Sequence, residues 1–107
     1  MLPSVNKMVI LKVLIDRGKP MKGADIQRAL FHDYHYKLSL GRISSDTKHL
    51  SNEGFVFSSR SCERMNNGSK RIDYSITEQG VEYYRTLRSE YLNYVNTANF
   101  VLDLPTI

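Results

Sequence analysis

Cysteine is almost missing from these 107 residues, Cys62 being alone. A single thiol excludes an internal disulfide framework and fits a reducing compartment, so a cytoplasmic location is expected. Long apolar runs are missing as well. The longest near the N-terminus, Met8 to Ile15, is interrupted by Lys12 and stops at Asp16. A membrane span needs about 18 or more consecutive apolar residues, and a signal peptide needs a small-residue cleavage site that this segment lacks. No nucleophile elbow, phosphate-binding glycine loop or zinc-type spacing is found, so neither catalysis nor a cofactor is expected. His32, Asp33 and His35 come nearest to a metal cluster, but without cysteines at ligand spacing they read as surface residues. Cys62 has no second cysteine to resolve an oxidised form, which argues against a redox switch. Internal repeats and low-complexity segments are absent too.

What remains is a chain long enough for one ordinary domain, with 41% apolar residues to build one core. Its charge is unevenly placed. Residues 1–71 carry thirteen Lys and Arg against six Asp and Glu, whereas residues 72–107 carry two against five. A basic body with an acidic end suggests two surfaces with different partners. Phosphate backbone is the usual partner of a basic face, because bound cations release counterions condensed on nucleic acid. The plainer alternative is that the excess charge only keeps the protein soluble.

The apolar pattern predicts a first helix from Ser4, as its cap, to about Arg17, with Val5, Met8, Val9, Leu11 and Ile15 in a broad stripe. Gly18 ends it and Pro20 prevents its resumption. A second helix runs from Gly23 to about Asp33, with Ile26, Ala29 and Leu30 on one face. The segment Tyr34 to Lys37 reads as a turn; the aromatic group Phe31, Tyr34 and Tyr36 suits core or turn packing better than a ligand pocket. Ser39 caps a third helix, in which Leu40, Ile43, Thr47 and Leu50 recur at helical spacing before Gly54. The period then changes. Phe55 to Arg60 reads as a strand, Asn66 to Ser69 as a turn, and Ile72, Tyr74 and Ile76 alternate as a half-buried strand should. Thr77 caps a last helix whose stripe is Val81, Tyr84, Leu87, Tyr91 and Val95, followed by a tail from Thr97 containing Phe100, Val101, Leu102 and Leu104.

The expected fold class is therefore mainly α with a small β-hairpin: a winged helix-turn-helix over residues 1–78, then a C-terminal helix and tail over 79–107. Three helices with a short second turn, followed by a basic-rimmed hairpin, form that arrangement. If the third helix packs through Leu40, Ile43, Thr47 and Leu50, its other face presents Arg42, Ser45, Asp46 and His49, flanked by Ser39, Ser44 and Lys48. Arg42 is the best candidate for reading guanine, because its forked donors match O6 and N7. The serines suit phosphates or base edges, and Lys48 and His49 suit the backbone. Asp46 would repel phosphate unless paired with a nearby Lys or Arg, or accepting from cytosine N4. Arg60, Arg64, Lys70 and Arg71 make the hairpin basic against Glu63 alone. That favours contact with phosphates or a minor groove over a mere guard against edge-to-edge pairing.

Two blocks carry a family resemblance. Leu38 to Val56 resembles the recognition-helix region of PadR-like winged-helix regulators, with a Ser-x-Gly opening and a Leu-x-x-x-Gly-Phe-Val close. Lys70 to Gly80 is similar to that family's second wing strand, ending Thr-x-x-Gly. Ser44 and Thr47 stand where the family usually has Tyr and Leu. The resemblance, over roughly residues 5–95, implies a non-enzymatic transcriptional regulator binding double-stranded DNA. It also implies a homodimer joined through the last helix at Val81, Tyr84, Leu87, Tyr91 and Val95, reading a pseudo-palindromic operator. That stripe could equally pack on its own first helix. With no room here for an effector domain, action by occlusion, as a repressor, is expected. The competing reading is a winged-helix module that binds another protein, and the apolar tail suits some protein contact.

Overall fold

Helix α1 (Val5–Arg17) buries Ile10, Leu11, Val13 and Leu14. It ends where Gly18 takes a left-handed φ of 63° and donates its N–H to Leu14 O at 3.0 Å, a conformation that only glycine adopts without strain. The computed structural model describes the backbone of residues 5–64 and 70–102, and the side chains of all of these except 60–64, 70, 71 and 102. The expected cap Ser4 and the hairpin tip therefore lie outside the described residues.

Helix α2 (Gly23–Tyr34) buries Ile26, Ala29 and Leu30 against α1. It stops at His35, whose φ of 54° turns the chain and whose N–H bonds Phe31 O at 2.9 Å. Gln27 Nε2 then donates to Leu38 O at 3.0 Å, fixing the turn that leads into α3 (Leu40–Asn52). Ser39 caps α3 by accepting from the Arg42 N–H at 3.1 Å. Ile43, Asp46, Thr47 and Leu50 are buried. The Thr47 hydroxyl, which would be costly to bury unpaired, donates to Ile43 O at 2.7 Å.

Strands β1 (Val56–Arg64) and β2 (Lys70–Ile76) pair antiparallel, with Val56 opposite Ile76 and Arg60 opposite Ile72. The register shifts between Arg60 and Arg64. Met21 exchanges both backbone hydrogen bonds with Tyr74 (2.9 and 2.8 Å), adding a third, one-residue strand that ties the hairpin to the start of α2. Thr77 joins hairpin to α4 (Glu78–Leu102): its hydroxyl donates to Gly54 O at 2.8 Å and accepts from the Gly80 N–H at 2.9 Å. Phe55 stacks on Tyr83 with ring centroids 4.1 Å apart. One core unites Leu11, Leu14, Ile26, Leu30 and Ile43 with Val56 of β1 and Leu87 of α4.

The architecture is thus the expected winged helix-turn-helix with a long last helix, and four details differ. Leu40, expected in the packing stripe, is 49% exposed. It sits in the first turn of α3, on the rim of a crevice of about 260 Å³ shared with Ala24, Ile72 and Tyr74. Asp46, expected on the outer face, is buried. It lies three residues after Ile43 and four before Leu50, and helical spacing therefore gives it their side of the helix. β1 begins one residue later than expected and runs on to Arg64, because Phe55 is held in the bend against Tyr83. The expected tail from Thr97 is helical as far as Leu102, since no Gly or Pro interrupts that segment. At about 1.5 Å per residue, the 25 residues of α4 extend for about 37 Å. Among the described residues no helix is long and apolar enough to cross a membrane.

Candidate nucleic-acid interface

The outer face of α3 is built by the same spacing that buries Ile43, Thr47 and Leu50. Roughly opposite them stand Gly41, Ser45 and Lys48, with Ser44 and Leu40 on the flank toward β2 and Arg42 and His49 on the other; all seven are exposed. Of the expected contact residues, Arg42, Ser44, Ser45, Lys48 and His49 are thus brought to the exposed side of α3, while Ser39 borders a crevice with Phe31 and Leu38. Ser39 is exposed yet already occupied as the α3 cap. Arg60, Arg64, Lys70 and Arg71 lie on the hairpin strands, but their side chains, like that of Cys62, fall outside the described residues.

Charge on this face is of one sign. Asp46 is the only acidic residue of α3. Its side chain is 8% exposed and its Oδ2 lies 3.4 Å from Nε of Arg42, whose own side chain is 56% exposed. The helix therefore withdraws its carboxylate and presents hydroxyls and cations.

Two further residues lie on the exposed side of α3. Leu40 is apolar, yet its place in the first turn leaves it half in water. Gly41 is the second. A Cβ added there would meet nothing within 4 Å, and its backbone is not left-handed. A helical glycine with neither a packing nor a conformational reason costs stability relative to alanine, and the signal that could have found it is that cost inside an otherwise regular helix.

The other candidate clusters resolve into structural roles. Asp33 accepts two hydrogen bonds from Arg17, both at 3.0 Å, and lies 2.9 Å from His32 Nδ1. The neighbouring His32 ring, chiefly, holds its carboxyl below the usual carboxylate range, with Arg17 adding to the effect. The His35 ring instead sits edge-on to Phe31. Among the described residues no three His, Cys, Asp or Glu converge as metal ligands would. Phe31 lines a crevice with Gln27, Lys37 and Leu38, whereas Tyr34 borders the groove between α1 and α4. The Tyr34 hydroxyl donates to Asp16 at 2.6 Å, and that bond, with a second from Lys12, lowers the Asp16 pKa. Burial, and then the bond to Asp16, pushes the Tyr34 phenol up. Tyr36 donates to Asn6, so both tyrosines pin α2 and its turn to α1.

In α4, Leu87 belongs to the core and Tyr84 packs against it, while Val81, Tyr91 and Val95 are half-buried. Met8 and Val9 of α1 line a groove of about 290 Å³ with Tyr84, Tyr91 and Leu92. Beyond it Tyr94, Phe100 and Val101 are exposed, Phe100 by 84%.

Two helices, a capped turn, a third helix bearing an exposed basic face and a paired hairpin define a winged-helix protein. No family model matches the sequence, and no curated protein does at a significant level. Solved structures do match in fold. A protein from Thermoplasma acidophilum described as a transcriptional regulator is similar at 28% identity, covering 90% of this chain and 86% of its own, with a TM-score of 0.67. A PadR family transcription regulator from Clostridium difficile R20291 matches at 19% identity over 92% of this chain and 99% of its own, with a TM-score of 0.71. F93 from STIV, a winged-helix DNA-binding protein, matches at 19% identity over 79% and 85%, with a TM-score of 0.63. The resemblance read from the two sequence blocks is thus met by PadR-family regulators among the structural neighbours.

Proposed function

We propose that this chain is a non-enzymatic transcriptional regulator that binds double-stranded DNA sequence-specifically as a homodimer. Helix α3 enters the major groove and the hairpin lies on the backbone or in the minor groove of a pseudo-palindromic operator. The observation that carries this reading is the outer face of α3, from which the only carboxylate of the helix is withdrawn while Arg42, Ser44, Ser45, Lys48 and His49 stay exposed. A helix presented to phosphates gains from such a face, and a merely solvated helix has no need of one. The regulators among the structural neighbours support the same reading.

The dimer contact in this reading runs along α4, through Val81, Tyr84, Tyr91 and Val95 over the groove against α1 and on to the exposed Tyr94, Phe100 and Val101. Leu87, already in the core, contributes by fixing α4 to its own protomer. In this reading, an operator occupied by the dimer is closed to other proteins, which is repression by occlusion.

The test is selection of bound duplexes from a random pool at near-physiological salt. Enrichment of an inverted repeat is the expected result, with Arg42→Ala losing preference at one position of each half-site. Retention of all sequences alike would overturn sequence-specific reading. A second expected outcome concerns Gly41. Gly41→Ala is expected to raise stability by about 0.5–1 kcal/mol, because alanine loses less conformational freedom in a helix. A bulky Gly41→Leu should leave the fold intact, since the space around it is open. It should also weaken DNA binding by about tenfold or more by holding the helix off the groove. Thermal unfolding and a binding titration of both variants check this.

A further inference from the structure

We propose that Asp46 is a positioning residue for base recognition: its charge draws the Nε side of Arg42 toward it before DNA arrives. This rests on the reading of α3 as the base-contacting helix and goes beyond it, since that reading alone gives Asp46 no role.

Asp46 is more than nine-tenths buried, and its Oδ2 makes no hydrogen bond among the described residues, the nearest cation being Arg42 Nε at 3.4 Å. Taking a carboxylate out of water is costly and a neutral residue would avoid that cost, so an acid retained beneath the recognition face calls for a reason. The spacing supplies one. Residues four apart on a helix are neighbours, and the Arg42 side chain lies along the surface with its inner edge toward the buried acid and its outer part exposed. A guanidinium carries five donors in a rigid plane. Engaging the Nε edge leaves the terminal Nη groups for the O6 and N7 acceptors of one guanine. An arginine already held in one rotamer loses less entropy on binding than one free in solvent, and it fits one base in one register instead of several. Because Asp46 is withdrawn from the surface, it orients the cation without presenting its own charge to phosphate.

The experiment is duplex selection with the parent, Asp46→Asn, Arg42→Ala and the double variant, each first shown to unfold cooperatively. The parent should enrich a site containing a guanine whose preference Arg42→Ala abolishes. Asp46→Asn should reduce that preference by roughly tenfold while leaving affinity for random duplex within about twofold. Added to Arg42→Ala, it should change nothing further. An unchanged guanine preference in Asp46→Asn would overturn the proposal, as would an equal loss with and without Arg42, which would mean that Asp46 acts only through the fold. A parent that enriches no sequence removes the DNA reading itself, and this inference with it. If Asp46→Asn does not fold, nitrogen-15 relaxation at Arg42 Nε in the free parent decides. An Nε more ordered than those of Arg28 and Arg85 supports the hold, and one as mobile as theirs overturns it.

Discussion

Gly80→Ala is expected to destabilise the protein by about 3 kcal/mol or more, the upper part of the range for forcing extra volume into a packed site. A Cβ at this position would lie 2.0 Å from the Phe55 carbonyl oxygen and 2.8 Å from Cδ1 of Ile76. The isoleucine could turn aside. The carbonyl cannot, because the same oxygen accepts the Thr77 N–H at 3.3 Å and the Phe55 ring is stacked on Tyr83. Relief would require α4 to lift away from the bend between α3 and β1. That movement would break the cap in which Thr77 accepts from the Gly80 N–H and donates to Gly54 O. It would also withdraw Leu87 from the core. For a domain of this size each kcal/mol lowers the melting temperature by about 4–8 °C, so a fall of more than about 10 °C is expected. Alanine is ordinarily the better helix former, so propensity alone predicts the opposite sign. A melt unchanged or raised by the substitution would show that the close approach of α4 to the bend does not exist in solution.

The same glycine shows how far the sequence could be read. Its place at the end of a Thr-x-x-Gly block marked it as part of a pattern, and the cap at Thr77 followed from residue type. The reason for the glycine did not, because the oxygen it makes room for comes from Phe55, twenty-five residues earlier. Helix positions, the hairpin and the stopping of α1 at Gly18 were legible because each depends on local spacing or on one backbone angle. Chemical character and helical spacing point opposite ways at two residues: charge suggests that Asp46 lies outside and apolarity that Leu40 lies inside. The helical period decides the first, and the second depends on where α3 leaves the body of the protein, which is a tertiary fact. The length of α4 exceeds its apolar stripe for a related reason. Its stripe stops repeating near Val95 because the helix there no longer packs on its own domain, yet the backbone has no reason to stop. Legibility of the candidate interface followed the same division. Which residues α3 exposes was largely readable, whereas the pairing of Arg42 with a buried acid was not.

The second large effect is on binding as salt rises. If each protomer neutralises three or four phosphates through Lys48 and the wing cations, affinity for the operator should fall roughly a thousandfold between about 50 and 200 mM salt. Lys48→Ala should weaken binding to every duplex alike and flatten that dependence, by about one counterion for each phosphate left without its cation. Arg42→Ala should leave the flattening small and remove sequence preference instead, because a base contact carries information that a phosphate contact lacks. The two variants thus separate the charge of the α3 face from its chemistry. The measurement also discriminates against the competing class of partner. A protein docked on the apolar end of α4, at Tyr94, Phe100 and Val101, would bury carbon surface, and such contacts hold or strengthen as salt rises. Binding that survives 200 mM salt unchanged would therefore move the functional surface from α3 to α4, whereas a steep loss shared by parent and Arg42→Ala, and blunted in Lys48→Ala, is what a phosphate-bound winged helix must give.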